Sequence, residues 1–160
     1  MEELGYDSLD IASYIEKKCK ELNYSGLNNT KIQKLLYCCY GATLVIENKR
    51  LCKEYPRAWD YGPVFPKVYS YISKNKKLED IYQISFPDNI KNILDTVIEF
   101  FGKFSGGQLS QWSHEEGSPW YNVITLQKQS IGSFIPDNDI KEYFKRYVVV
   151  KNDNEKDENK

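Results

Sequence analysis

The sequence predicts a mainly helical protein of the α+β class, folded as a single compact domain with a small β-hairpin or short β element around residues 50–60. Apolar side chains recur at helical spacing in several separate stretches of the chain. Between two of these stretches, Pro56, Pro63 and Pro66 exclude a long helix. A length of 160 residues suits one domain with its own hydrophobic core.

The first two helices are predicted from apolar spacing and capping residues. Ile11, Ala12 and Ile15 begin the apolar face of the first helix, with Asp7 or Ser8 as its cap. A second helix is predicted to start near residue 30, where Thr30 and Gln33 have the spacing of a capping box. Its apolar face covers much of the circumference, so we expect this helix to be central to the fold.

Residues 47–66 change from helical to extended patterning. Residues 51–52 and 55–59 are predicted as weak strands, and residues 61–63 as a turn. A helix is then expected to start at Pro66, with Val68, Tyr69 and Ile72 on its buried side.

The second half of the chain is predicted to be helical again. A strongly amphipathic helix opens at residues 87–88 and ends at Gly102. Ser105 and Gln108 form a second capping box. A short helix is expected to start at residues 119–120. The last helix should be capped by Asp137 or Asn138, and residues 148–150 are expected to form a short strand.

The ends of the chain and its hydropathy give expectations about location. Residues 1–10 are acidic and lack a long apolar run, so we expect no signal peptide and a cytoplasmic protein. No stretch approaches the ~18 consecutive apolar residues of a transmembrane helix. The domain is expected to span residues 1–150. Residues 151–160 contain no apolar side chain and are expected to form a disordered polar tail.

Charge and cysteine content disfavour several kinds of partner. The chain has 22 basic and 23 acidic residues, a balance that predicts no nucleic-acid partner and no strong attraction to a membrane. Neither a metal site nor a cofactor is expected, because one histidine and scattered acids do not supply a converging ligand set. The four cysteines are expected to be small buried hydrophobes in a reducing compartment: Cys19, Cys38, Cys39 and Cys52.

The single histidine, His114, is the candidate for catalysis. It could act as a general base oriented by Glu115 or Glu116. The alternative is a structural ring that hydrogen-bonds to the backbone at a helix C-terminus. We favour the structural alternative, because no recognisable nucleophile motif accompanies the histidine.

Aromatic side chains cluster around the three prolines, and two interpretations stay open. The first is core packing, because most aromatic side chains are mainly buried. The second is a rigid surface that anchors a partner. The cluster comprises Trp59, Tyr61, Phe65, Tyr69 and Tyr71. Trp59 and Trp120 are expected to be buried and important for folding.

The run AWDYGPVFPKVY, at residues 58–69, resembles the signature of the Panacea domain, also described as SocA-like. Four further landmarks occur in the family's order: an opening helix at 9–15, KIQKLLY at 31–37, QWSHEEGSPW at 111–120, and a closing helix at 135–144. The residues that match the family signature are candidates for a structural or partner-binding role: Gln33, Lys34, Trp59, Tyr61, Gly62, Pro63, Val64, Val68, Tyr69, His114, Pro119 and Trp120.

This resemblance implies a non-enzymatic protein-binding module without a cofactor. Family members act largely as antitoxins of two-gene toxin–antitoxin systems, where they neutralise a cognate toxin by direct binding. At least one kind delivers its toxin to a Clp-type protease, which makes such a protease a second candidate partner. The alternatives are an accessory protein of a phage or mobile element that binds a host target, and an enzyme that uses His114.

Overall fold

The computed structural model of the protein describes residues 2–149, so the expected polar tail at 151–160 lies outside the described residues. Seven α-helices are found in this range: α1 (Ser8–Glu21), α2 (Asn29–Glu47), α3 (Pro66–Ser73), α4 (Asp88–Phe101), α5 (Gly106–Ser113), α6 (Pro119–Tyr121) and α7 (Asp137–Tyr147). Four short strands accompany them: β1 (Glu3–Tyr6), β2 (Arg50–Cys52), β3 (Arg57–Trp59) and β4 (Gly62–Val64). The predicted mainly helical fold with a small β element is confirmed.

Helix α2 lies at the centre of the protein, as its apolar circumference predicts. Every residue from 31 to 44 is buried, and α1, α4, α5 and α7 pack around it. Helix α7 approaches so closely that a Cβ atom on Gly41 would lie 2.5 Å from the ring of Phe144. The hydrophobic core is therefore a layer of helices wrapped around one buried helix.

Two of the predicted caps are confirmed. The carboxylate of Asp7 accepts from the backbone N–H of Leu9 at the start of α1. Ser105 and Gln108 form the full capping box of α5. In both cases the cap satisfies a backbone donor that has no partner inside its own helix.

Two other predicted caps are wrong, because both helices begin at or before the predicted capping residue. Asn28, and not Thr30, caps α2 by accepting from the N–H of Lys31, which frees Gln33 for another partner. Pro136 stands at the N-cap of α7. The carboxylate of Asp137 instead accepts from the Tyr40 hydroxyl at 2.5 Å and from Arg50 at 3.1 Å.

The β structure is more extensive than predicted and consists of two separate pairs. Strand β1, which the sequence pattern did not indicate, pairs parallel with β2. Strands β3 and β4 form an antiparallel hairpin in which Trp59 lies opposite Gly62. The predicted turn at residues 61–63 is therefore displaced, because Gly62 and Pro63 belong to β4 and Asp60 and Tyr61 form the loop.

The end of the described chain differs from the predicted strand. Val148 and Val149 follow α7 without forming a strand, and Val150 lies outside the described residues. Earlier in the chain, α6 continues directly into one turn of π-helix at Asn122–Leu126. Within residues 2–149, no helix is both long enough and apolar enough to cross a bilayer.

All four cysteines are free thiols buried in the fold, as the sequence predicts. Cys38 and Cys39 are completely buried in α2. Burial raises the pKa of both thiols, because a thiolate would lose its hydration there. These thiols are consequently unreactive components of the core.

Candidate functional site

The β3–β4 hairpin is held by side chains from three helices, and the signature residues of the sequence meet there. Four side chains bind backbone groups between residues 59 and 65. We call this set the hairpin clamp, and it consists of Gln33, Lys34, Ser110 and Trp120. Residues 61, 63 and 65 are alternate positions of the chain, which present their backbone groups to the same edge of an extended strand. Gln33, Lys34 and Ser110 thus occupy the edge of β4 where a third strand would otherwise pair, and Trp120 binds a carbonyl of β3.

Helix α2 contributes two adjacent polar side chains to the clamp. The carbonyl oxygen of Gln33 accepts from the N–H of Phe65 at 2.8 Å, and the Lys34 amine donates to the carbonyl of Pro63 at 3.0 Å. Both side chains are almost completely buried. Buried polar groups without partners are costly, so these hydrogen bonds fix β4 against the central helix.

Within residues 2–149, the Lys34 amine has one hydrogen-bond acceptor, the carbonyl of Pro63. The side chain is 2% exposed. Removal from water disfavours the charged amine and lowers the pKa of Lys34 from 10.5 to about 8. The clamp therefore contains a lysine whose charge is costly to the folded state at neutral pH.

A pH-dependent stability difference is expected between the wild type and a Lys34→Met variant. Between pH 8 and 10.5 the unfolded chain still holds the Lys34 proton that the folded chain has released, so rising pH favours folding of the wild type. From pH 7 to pH 9.5, wild-type stability should improve relative to the variant by about 2 kcal/mol. Urea unfolding of both proteins under reducing conditions measures this change. Parallel pH profiles would contradict it.

Helices α5 and α6 supply the other two side chains of the clamp. The Ser110 hydroxyl donates to the carbonyl of Tyr61 at 2.6 Å, and the Trp120 indole donates to the carbonyl of Trp59 at 2.6 Å. Trp120 is 9% exposed. Its ring also packs edge-on against His114, with 5.4 Å between the ring centroids. The landmark at residues 111–120 therefore contacts the landmark at residues 58–69.

Gly62 is required by both its backbone conformation and its surroundings. Its φ of +115° lies in a region that L side chains rarely adopt. A Cβ atom at this position would overlap the hydroxyl oxygen of Ser113 and would lie 3.3 Å from Cε of Lys34. Glycine thus allows β4 to approach α2 and α5 closely enough for the clamp to form.

The outer edge of β3 is also paired. The N–H of Ala58 donates to the carbonyl of Ser133 at 2.8 Å, and the N–H of Gly132 donates to the carbonyl of Ala58 at 2.7 Å. Arg57 forms an isolated bridge with Phe134. Both edges of the hairpin are covered, so it presents side chains and its loop, and not a free strand edge, to solvent.

Three aromatic side chains of the hairpin and of α3 face outward. We call Trp59, Tyr61 and Tyr69 the aromatic face. Tyr61 is 74% exposed in the hairpin loop, and Tyr69 is 39% exposed. Trp59 is half-buried and packs edge-on against Tyr69, with 4.9 Å between the centroids. The prediction that Trp59 and Tyr69 are buried is therefore wrong.

The aromatic cluster of the sequence thus divides between core and surface. Phe65 is fully buried and Tyr71 is half-buried, while the aromatic face points to solvent. Tyr61 extends into solvent from the hairpin loop, whereas Phe65 stands at the N-cap of α3 and packs edge-on against Tyr40 of the central helix, so one segment supplies both a core anchor and a surface. Large aromatic side chains on a fixed backbone are typical of interface hot spots.

His114 occupies the C-cap position of α5. Its Nδ1 lies 2.5 Å from the carbonyl of Ser110, so Nδ1 carries the proton because a carbonyl can only accept. This is the ring-to-backbone hydrogen bond of the structural interpretation. The neighbouring hydroxyls of Ser110 and Ser113 both donate to backbone carbonyls. The two serine hydroxyls and Nδ1 of His114 therefore all donate to backbone carbonyl groups.

The structure brings most of the predicted site residues together and places the others in the core. Val64, Val68 and Pro119 are buried, and they pack the elements that carry the clamp. The sequence patterns did not single out Ser110, and Ser113 entered only as part of the landmark at residues 111–120. Their spacing of three residues puts both on one helix face, but serines on a helix are usually solvated, so the pattern gave no signal of a buried role.

Comparisons with known proteins agree with the landmarks. The family described as "Antitoxin SocA-like, Panacea domain" matches residues 32–121, a range that includes the whole hairpin clamp. The curated Antitoxin SocA of Caulobacter vibrioides (strain NA1000 / CB15N) is 31% identical over 129 residues, which cover 71% of this chain and 68% of that protein. No solved structure matches the chain.

Proposed function

This chain belongs to the family of SocA-like antitoxins with a Panacea domain, and from that premise we propose that it neutralises a cognate toxin by direct binding through the aromatic face. The proposed role is non-catalytic and needs no cofactor. The observation that carries the proposal is Tyr61, a large aromatic side chain that is 74% exposed on a hairpin fixed by buried side chains.

The rigidity of the hairpin supports a binding role for its exposed rings. Ordering a mobile loop during association costs free energy, and a backbone that is already fixed avoids that cost. Here the carbonyl of Tyr61 is held by Ser110, and the carbonyl of Trp59 by Trp120. Tyrosine and tryptophan bury large areas with few rotatable bonds, and both are enriched where interfaces gain most of their affinity.

The composition of the surroundings suits an interface with a polar rim. Asp60, Lys67 and Gln111 are exposed in or next to the elements that carry the aromatic face and the clamp. Lys67 forms an ion pair with Asp7 at 2.6 Å, and both side chains are partly exposed. An apolar centre with polar edges is the usual organisation of a specific protein interface.

Co-expression tests the proposed function directly. The product of the gene adjacent to this one is expected to arrest growth when induced alone, and the full chain is expected to restore growth when both are present. A non-toxic neighbour, or a toxic neighbour that the chain does not neutralise, would show that the proposal is wrong.

A Tyr61→Ala variant is expected to lose neutralisation without losing stability. Truncation of a hot-spot aromatic costs about 2 kcal/mol of binding free energy or more, which is about 30-fold in affinity. Tyr82→Ala is the matched control, because Tyr82 is 85% exposed in the segment between the 3₁₀ turn Leu78–Asp80 and α4. The measurement is growth rescue at graded toxin expression, with thermal melts of both variants. Equal rescue by Tyr61→Ala and the control would contradict the assignment of this surface.

Two modes of neutralisation differ in the fate of the toxin. We propose simple blocking as the mode that the aromatic face supports, with delivery to a Clp-type protease as the alternative. Blocking leaves the cellular half-life of the toxin unchanged, whereas delivery shortens it in a protease-dependent way. The proposed compartment is the cytoplasm, and four free buried thiols are typical of such a reducing environment.

A further inference from the structure

A second exposed surface lies between the central helix, α4, α5 and the end of α7. It is an open groove of about 970 Å³, which we call the α4 groove. Its floor is apolar and includes Ala42, Val97 and Leu109. Phe100 stands at its edge and is 54% exposed. An exposed apolar surface of this kind marks an interaction site more often than a solvated face.

The face that α4 turns toward the groove carries no charge. Asn89, Asn92, Thr96 and Phe100 line the groove at helical spacing, next to the buried stripe of the same helix. The charged residues of α4, by contrast, include Asp95, which pairs with lysines on α1 and α4. Depletion of charge is the compositional feature that distinguishes the centre of an interface from ordinary surface.

The α4 groove is separate from the aromatic face, because α5 lies between them. Ser110 and Ser113 point to the hairpin side of α5. Leu109 and Trp112, on another face of the same helix, line the groove. A partner in the groove therefore contacts a surface that the proposed toxin contact does not use.

Two candidate occupants, the C-terminal residues of this chain and a second copy of the chain, fit the groove poorly. Val149 lines the groove, and the ten residues after Val150, KNDNEKDENK, offer no apolar side chain to fill it. A second copy of the chain would need more area. The partly exposed apolar residues at the edge of the groove are Ile46, Phe100, Phe104 and Tyr147. Together they expose roughly 400 Å² of side-chain surface. That is about half of the ~800 Å² that each partner buries in a standard interface.

The dimensions and the charged ends of the groove favour a short helix. From Asn89 to Phe100 the groove follows α4 for about 16 Å, the length of three helical turns. Glu47 lines one end, where it accepts from Asn89. Lys103 lies at the other end, with its amine 5.3 Å from the centroid of the Phe100 ring. Charges of opposite sign at the two ends complement the dipole of a bound helix.

We propose that the α4 groove binds an amphipathic helix of about three turns from a partner protein. The apolar side chains of that helix, at i, i+3, i+4 and i+7, enter the groove, as in other helix-in-groove complexes. Its N-terminal end, with a basic residue, lies at Glu47, and its C-terminal end, with an acidic residue, lies at Lys103.

A designed peptide tests this proposal on the full chain. The probe is a fluorescein-labelled, stapled helix of about twelve residues, with leucines at the four apolar positions, a lysine in its first turn and a glutamate in its last. Fluorescence anisotropy should show saturable binding with a Kd of about 10–100 µM. The same peptide with serines in place of the leucines should not bind, and one with glutamate at both ends should bind about threefold more weakly.

Variants of the protein locate the binding site. Phe100→Asp should weaken peptide binding at least about tenfold, and Ile46→Asp should do the same if Phe100→Asp proves unstable. Tyr82→Asp should bind like the wild type. The proposal is overturned by an absence of saturable binding up to about 1 mM, or by unchanged binding to both groove variants. It is also overturned if sedimentation shows a dimer that Phe100→Asp dissociates, since the occupant would then be a second copy.

Discussion

Replacement of Trp120 by alanine is expected to lower the free energy of unfolding by about 3–5 kcal/mol. The ring is 9% exposed, and its indole N–H holds the carbonyl of Trp59. The substitution leaves a cavity, and it also removes the indole donor of the Trp59 carbonyl. The two losses add. Because whole domains are stable by only about 5–15 kcal/mol, the substitution should remove a large share of the protein's stability.

Urea denaturation of three variants separates these contributions. Trp120→Phe keeps most of the buried area and should lose about 1–2 kcal/mol, mainly from the hydrogen bond. Trp59→Ala should lose less than Trp120→Ala, because Trp59 is half-buried and lies on the aromatic face. Equal losses for Trp59→Ala and Trp120→Ala would mean that the two rings are not divided between surface and core.

Replacement of Gly62 by alanine is expected to destabilise the fold by about 2–4 kcal/mol and to abolish toxin neutralisation. The new methyl group would force an unfavourable φ and would overlap the Ser113 hydroxyl. The overlap forces either the Ser113 hydroxyl away from the Ser110 carbonyl that it binds or the hairpin away from α5, and the second movement breaks the hydrogen bond from Ser110 to Tyr61. The aromatic face would then lose its fixed backbone.

A matched glycine substitution and a double variant test this explanation. Gly107→Ala should be nearly neutral, because Gly107 is helical and its nearest neighbour outside the local backbone is the Ser105 hydroxyl at 3.9 Å. Adding Ser113→Ala to Gly62→Ala should restore about 1 kcal/mol by removing the overlap, while the backbone strain remains. Chemical denaturation measures both. An unchanged stability of Gly62→Ala, or a double variant with strictly additive effects, would contradict the proposed overlap.

Local signals explain which parts of the fold could be predicted. Helix α4, which begins after Pro87 and is followed by Gly102, could be predicted because its proline start, its glycine end and its strict apolar period all lie within one segment. Strand β1 has no such signal. It is four residues long, contains Gly5, and is held by pairing with β2, more than forty residues away. Pairing between distant segments is not encoded in either segment alone.

The candidate site shows the same division between local and tertiary information. The landmarks around Gln33, Gly62 and Trp120 indicated which segments contribute to the candidate site, but not which of their side chains and backbone groups contact each other. Gln33 has the spacing of a capping-box residue, yet its side-chain oxygen accepts from the N–H of Phe65. Tyr69 follows the buried Val68 on α3 and was expected to be buried as well, but the ring packs outward against Trp59. Tertiary partners overrode the local pattern at each of these positions.

Titration calorimetry with the purified product of the adjacent gene tests the central claim most directly. Direct neutralisation through the aromatic face requires saturable binding, with a Kd below about 1 µM. Tyr61→Ala should weaken that binding about 30-fold, while its thermal melt stays that of the wild type. An absence of binding, or equal affinity for the wild type and a correctly folded Tyr61→Ala variant, would contradict the account.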